Sequence, residues 1–345
     1  MIEPSDTATS TLAPPPNSDA LICMRGIKKV FVTDGAVMRQ LIWSTLAILL
    51  VVSTLDAQTR TIAERLGYPR TAKLLILHAD DLGVAHSENA ASFDALDKGA
   101  VNSASVMMPT PWVTEVARYA QAHPNHDIGL HLTLTSEWNT YRWGGLASRD
   151  QVPSLYDLDG TFPRGTDSVA RRAKIAEVER ELRAQIDRAY AIGIRPTHVD
   201  SHMGALFETP ELFGTYARVA RSYKLPFLPF LGGPSAANLA QLTPNDIVPD
   251  AVIMASQKGT PQQWLKYYLD AVGNLKPGLT WIGVHLGYDD AELRAVTVGW
   301  DAWGSTWRQQ DYDVLTSAEF RQALKDNNVV LVTWREIQKA MYPTP

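Results

Sequence analysis

Four short stretches carry side chains able to hold a metal ion or move a proton: His78-Ala79-Asp80-Asp81, Gly129-Leu130-His131-Leu132-Thr133, His198-Val199-Asp200-Ser201-His202 and Gly283-Val284-His285-Leu286-Gly287. Adjacent carboxylates such as Asp80 and Asp81 repel unless a cation or a shared proton lies between them. A lone Asp-Asp pair before glycine is usually a turn or a helix cap, and a lone histidine at a strand end is usually a hydrogen-bonded core residue. Taken singly, His78 and His198 read that way. The four stretches together hold five of the eight histidines, which turns and packing explain poorly. His86, His123 and His126 lie outside them and read as surface or helix-end residues. Imidazoles and carboxylates brought from several strand ends to one mouth can bind a divalent ion and leave a coordination position for water.

The surrounding pattern supplies such strand ends. From Lys73 onward, short apolar runs alternate with longer segments of helical period, which predicts repeated βα units around a parallel sheet. Strands are expected at 74–78, 101–107, 127–132, 197–200, 226–229, 281–285 and 329–333. Helices are expected at 87–98, 112–123, 168–192, 210–223, 261–274 and 317–327. Within 168–192, Ile175, Val178, Leu182 and Ile186 recur at three- and four-residue spacing, Ser168 is placed to cap the start, and Gly193 suits a left-handed stop. Two connections, 137–167 and 287–316, break the rhythm; both are rich in Trp, Tyr and Gly and read as long functional loops.

Length and composition narrow the classes. A chain of 345 residues that is 45% hydrophobic can bury a full core, either as one large α/β domain or as two ordinary ones. With no internal repeat or low-complexity linker after residue 60, a single domain over 73–345 is expected, preceded by a lead-in at 58–72. The formal net charge of -5, without a dense Lys/Arg stripe, argues against nucleic-acid and anionic-membrane partners. The lone Cys23 allows neither an intrachain disulfide nor a thiolate metal site, leaving His and carboxylate as ligands. Arg39, the apolar run 41–52 and the small and polar residues through Gln58 match a secretory signal peptide at 38–57. On that reading Met38 is the true start, residues 1–37 are a mis-assigned extension, and the protein is exported. An uncleaved N-terminal anchor is the alternative.

The motifs ADDLG with Asn89 following, GLHLTLT, THVDSH and the late HLG make residues 72–340 resemble the YdjC/ChbG-like carbohydrate deacetylases, relatives of the polysaccharide deacetylases. The resemblance implies a distorted, TIM-like (β/α) barrel and one divalent ion, Mg or Zn, supporting removal of an N-acetyl group from an amino sugar. By matching position it implies Asp81, His131 and His202 as metal ligands, Asp80 as general base and His285 as the residue that assists the leaving group or orients the base. Asp200 is a natural support for His202 or His285, since ligating and catalytic imidazoles need orienting partners, and His78 joins it behind the site. The chain departs from the family at His78, where many relatives have Asn, at Met203-Gly204, where many have a further His, and at His285-Leu286-Gly287, often His-Pro-Gly. None of these removes an implied ligand.

Trp138 and Trp143 in the first long connection, and Trp300, Trp303 and Trp307 in the second, are candidates for stacking on sugar faces, against the alternative that they pack the loops onto the barrel. The same His/Asp set could serve a phosphoesterase or another hydrolase, and a non-catalytic glycan-binding protein is the alternative outside enzymes.

Overall fold

The computed structural model describes residues 60–230, 235–256 and 259–343. The extension and signal expected over residues 1–57 lie outside them. No helix among the described residues is long and apolar enough to cross a membrane.

Seven strands form one all-parallel sheet: β1 (Lys73–Leu82), β2 (Ser103–Val106), β3 (Ile128–Leu132), β4 (Val199–Ser201), β5 (Ala251–Met254), β6 (Gly278–Val284) and β7 (Val329–Leu331). Their order is β4-β3-β2-β1-β6-β5, with β7 also paired to β1. The sheet is a curled, incomplete barrel of the expected α/β class. β1 lies at its centre, and every residue of it after Lys73 is buried, as befits a parallel strand covered on both faces. Alternation sorts its side chains. Leu75, Leu77 and Ala79 join the large core beneath the outer helices, while Leu74 and Ile76 pack with Leu279, Trp281, Val332, Trp334 and Ile337 in a smaller cluster. His78 and Asp80 continue the Leu74/Ile76 face at period two. The same edge of β1 pairs with β7 over Lys73–Leu75 and with β2 from His78 onward. Asn102 bridges that fork: its amide oxygen accepts from Leu77 N at 2.8 Å and its amide nitrogen donates to Val332 O at 2.7 Å.

Several expectations need correction. The segment expected as strand 226–229 contributes one isolated bridge, Phe227 to Val199, because Pro226 and Pro229 remove the amide donors that a ladder needs. β5, unexpected from sequence, pairs with β6 and forms the opposite edge of the sheet. The helix expected at 168–192 is two helices, Thr166–Arg172 and Ile175–Ala191, capped by Gly165 and Lys174 without side-chain bonds, so Ser168 is not a cap. Gly193 does take the left-handed stop, at φ 88°. The second long connection is largely helical, with Ala291–Val296 and Ser305–Leu315; its charged, aromatic-rich composition hid that period.

Candidate active site

β1 delivers Asp80 and Asp81, which a regular strand would aim at opposite faces. Asp81 escapes this by adopting φ 69°, at the irregularity in β1–β2 pairing between Ala79 and Leu82. The turn that follows is fixed by Gly83, at φ 95°, whose N–H donates to the Asn89 side chain at 2.7 Å. Both carboxylates therefore line one cavity of about 610 Å³ at the C-terminal end of the sheet, where parallel α/β folds place their sites.

β3 adds His131, and the turn after β4 adds His202. Asp81 Oδ1 stands 3.3 Å from His131 Nε2 and 3.3 Å from His202 Nδ1, is buried, and makes no hydrogen bond. The three ligand atoms lie within 4.8 Å of one another. Each imidazole is held from behind. His131 Nδ1 meets Asp200 Oδ1 at 2.6 Å, and His202 Nε2 meets Glu137 Oε2 at 3.0 Å, which leaves the other nitrogen of each ring facing Asp81. Asp200 thus orients His131, not His202 or His285 as expected, because β3 and β4 place His131 and Asp200 directly opposite in register. Burial opposes charging these rings, but Asp200 and Asp80 push His131 well above its ordinary value, and Glu137 and Asp81 push His202 up to about 9. Two nitrogens and a carboxylate oxygen, each with an orienting partner, fit a divalent ion.

Behind these three residues lies His78. Its ring is fixed by Ser103 Oγ at 2.8 Å and Ser105 Oγ at 3.0 Å, and Nε2 lies 2.9 Å from Asp200 Oδ2 and 3.2 Å from Asp80 Oδ1. It therefore links Asp80 to the carboxylate that orients His131. His198 is a core residue: Thr197 Oγ1 holds Nδ1 at 2.9 Å, the ring stacks on Trp334, and Gly129 makes room for it, since a Cβ there would come within 2.4 Å of the imidazole. His285, at the end of β6, puts Nε2 3.9 Å from Asp80 Oδ2 and 3.8 Å from Asp81 Oδ2. Burial holds it down at about 4, and Asp311 Oδ2 accepts its backbone N–H at 3.0 Å.

Three participants were missed from sequence. Arg308, on the Ser305–Leu315 helix, is buried; it donates to Asp81 Oδ2 at 2.8 Å, to Glu88, and to Trp303 O at 2.8 Å. Burial, against the pull of Arg308, holds Glu88 well above the usual carboxylate range, whereas Arg308, with His131 and His202, keeps the Asp81 carboxyl well below its ordinary value against the effect of burial. Glu88 and Glu137 are the others. Only proximity in space reveals them, although the ADDLG-to-Asn89 stretch already contains Glu88.

Of the five candidate tryptophans, Trp138, Trp300 and Trp303 line the cavity. Trp143 does not; it is buried, with its indole N–H given to Thr135 O at 2.8 Å. Trp307 packs edge-on against Trp264, ring centres 4.4 Å apart, and borders a smaller neighbouring cavity. The opposite wall of the main cavity is apolar, built by Val252, Ile253, Met254 and Tyr267. Met203, at φ 53°, and Trp303, at φ 55°, join Asp81 as non-glycine residues held left-handed at the mouth, the kind of local strain that gathers at functional sites.

Residues 74–326 match the family model described as YdjC-like protein. A Thermus thermophilus protein named carbohydrate deacetylase is 35% identical over 286 residues, covering 81% of this chain and 98% of its own length. A Geobacillus stearothermophilus protein of the same name is 30% identical over 268 residues, covering 76% and 98%. A crystal structure from Enterococcus faecalis, described as a candidate cellobiose-phosphate cleavage protein, aligns with a TM-score of 0.66 at 25% identity, covering 77% of this chain and 99% of that one.

Proposed function

The chain belongs to the YdjC-like protein family, and from that membership and the site geometry we propose that it is a metal-dependent carbohydrate N-deacetylase that hydrolyses the acetamide of N-acetylated amino sugars. The observation that carries the metal is the unbonded, buried Asp81 Oδ1 facing one nitrogen each of His131 and His202. Asp81, His131 and His202 would hold the ion, Mg or Zn. When bound, such an ion supplies a Lewis acid for the amide carbonyl and lowers the pKa of a water.

The chain's own residues do the rest. Asp80 lines the cavity beside the ligands and accepts the water's proton as the water oxygen bonds to the carbonyl carbon. His78, between Asp80 and Asp200, fixes the carboxylate from behind. When the C–N bond breaks, the amine must leave carrying a proton, because an amide anion is a very poor leaving group. The proton taken by Asp80 is available for this, and His285, 3.9 Å from Asp80 Oδ2, stands where it can help pass it on. With its low pKa His285 is neutral near pH 7, so it serves as a hydrogen-bonding and relaying group and not as a standing acid. The products are acetate and a free amino sugar. Among the described residues lining the cavity, the Lys or Arg side chain is Arg308, engaged by Asp81, Glu88 and Trp303, so no uncommitted guanidinium or ammonium there favours the phosphoesterase alternative.

Purified protein supplied with Mg or Zn should release acetate from N-acetylglucosamine oligosaccharides. Chelation should abolish the release, and Asp80→Asn should lower kcat by about 10²–10⁴-fold. Release that survives both treatments would overturn the mechanism.

A further inference from the structure

Behind the catalytic cavity, the interior of the half-barrel holds a second cluster of polar side chains. His78 on β1, Ser103 on β2, Asp127 just before β3, Thr197 and His198 just before β4, and Asp200 on β4 are all buried. The Asp127 carboxylate is stabilised by hydrogen bonds from the Thr197 and Ser103 side chains. A hydroxyl has one proton to give, so Ser103 Oγ, 2.8 Å from His78 Nδ1, and Thr197 Oγ1, 2.9 Å from His198 Nδ1, act as acceptors towards the two rings. Each ring then carries a proton on Nδ1 and turns Nε2 inward, towards one point. His78 Nε2 lies 2.9 Å from Asp200 Oδ2 and 3.2 Å from Asp80 Oδ1, and His198 Nε2 lies 4.0 Å from the same Asp200 oxygen. Ser105 Oγ stands 3.0 Å from His78 Nε2. His198 Nε2, Asp200 Oδ2 and Asp80 Oδ1 are buried and make no hydrogen bond. Such a gathering of acceptors is costly unless a positive charge lies within it. A proton on His78 Nε2 meets the two carboxylates but offers nothing to His198. A metal ion meets all four atoms.

We infer that His78, His198, Asp200 and Asp80 form a second metal site, a closed zinc site behind the catalytic one. In a tetrahedral zinc site with bonds of about 2.0–2.1 Å, neighbouring ligand atoms stand about 3.3 Å apart, and the separations here bracket that value. Two imidazoles favour zinc over magnesium, which prefers oxygen. Two carboxylates balance the charge of the ion, as burial requires. Four protein ligands with no position left for water are the pattern of a structural ion, unlike the open set at Asp81, His131 and His202. The inner ion fixes Asp80 through Oδ1 and leaves Oδ2 on the side of His285. It also holds Asp200, whose other oxygen orients His131, so the inner site braces one ligand of the outer. This second ion does not depend on the deacetylase reading, because its detection involves no substrate.

The test uses protein produced in zinc-supplemented medium, with anomalous diffraction from wild-type crystals at the zinc absorption edge and elemental analysis of wild type, His78→Asn and His198→Asn. An asparagine amide can reproduce the Nδ1 donor of each ring while removing Nε2, so the bonds to Ser103 and Thr197 are kept. The map should show a peak between His78 Nε2 and His198 Nε2, and each variant should hold one zinc fewer per chain than wild type. Absence of that peak, or a zinc content that both variants leave unchanged, would overturn the second site. A peak at Asp81, His131 and His202 alone supports the catalytic ion and rejects the inner one, whereas a peak at the inner site alone supports the inner ion and counts against the metal-dependent deacetylase. If a variant fails to fold, the wild-type map decides by itself.

Discussion

Asp80 and Asp81 differ in what touches them, and that difference supports the separate parts proposed for them. Asp81 meets His131, His202 and the Arg308 guanidinium at 2.8–3.3 Å, whereas Asp80 is held by His78 at 3.2 Å, and His285 stands 3.8–3.9 Å from both. Sequence motifs marked both carboxylates and the three histidines around them, because these residues sit at strand ends. They could not show Glu137 or Arg308, whose roles depend on where two long connections fold back. His78 yields a prediction at this scale. Burial alone would lower its pKa, but its contacts with Asp200 and Asp80 raise it to about 9. A folded-state value above the unfolded 6.5 stabilises the protein fully below pH 6.5, and that contribution is lost as pH rises through about 9. Metal-free wild type should therefore lose thermal stability between pH 6.5 and 9, a slope to which His131 and His202, also raised, contribute, and His78→Asn should remove the His78 share of it while lowering Tm at pH 6. A variant with the wild-type slope would show that the imidazolium does not bind the two carboxylates together.

Among the elements, the Ser305–Leu315 helix contributes most that the sequence concealed. Its apolar positions do not form a stripe, because its inward face carries Arg308 and Asp311 to the site, and periodicity detects only apolar faces. Pro226 and Pro229 misled in the opposite sense: the segment is apolar enough for a strand but lacks the donors to pair as one. By contrast, β1, β3 and β6 were legible, since buried parallel strands are short, continuous apolar runs. The helix is tested through Arg308. Arg308→Ala would leave Asp81 buried without its guanidinium partner and should cost about 3–5 kcal/mol in chemical denaturation. Arg308→Lys should recover only part of that, since one ammonium cannot reproduce the fork shared by Asp81, Glu88 and the Trp303 carbonyl. Equal stability of wild type and Arg308→Ala would mean that the contact is not made in solution.

At the scale of the molecule, a half-closed parallel barrel gathers the proposed ligands from β1, β3 and the turn after β4, and places His285, after β6, at the same mouth. The α/β class followed from short apolar runs alternating with helical periods, and the shared mouth from four chemical clusters recurring at strand ends. The cavity's shape did not, because its apolar wall comes from β5, which no motif announced, and because Trp143 and Trp307 turn inward to pack. The most direct test of the whole account is a calorimetric titration of metal-stripped protein with Zn or Mg, with acetate release followed on the same samples. One divalent ion per chain should bind at Asp81, His131 and His202, release should rise in proportion to its occupancy, and His131→Ala and His202→Ala should each lose both binding there and release. Full acetate release without bound ion, or unchanged ion affinity in both variants, would contradict it.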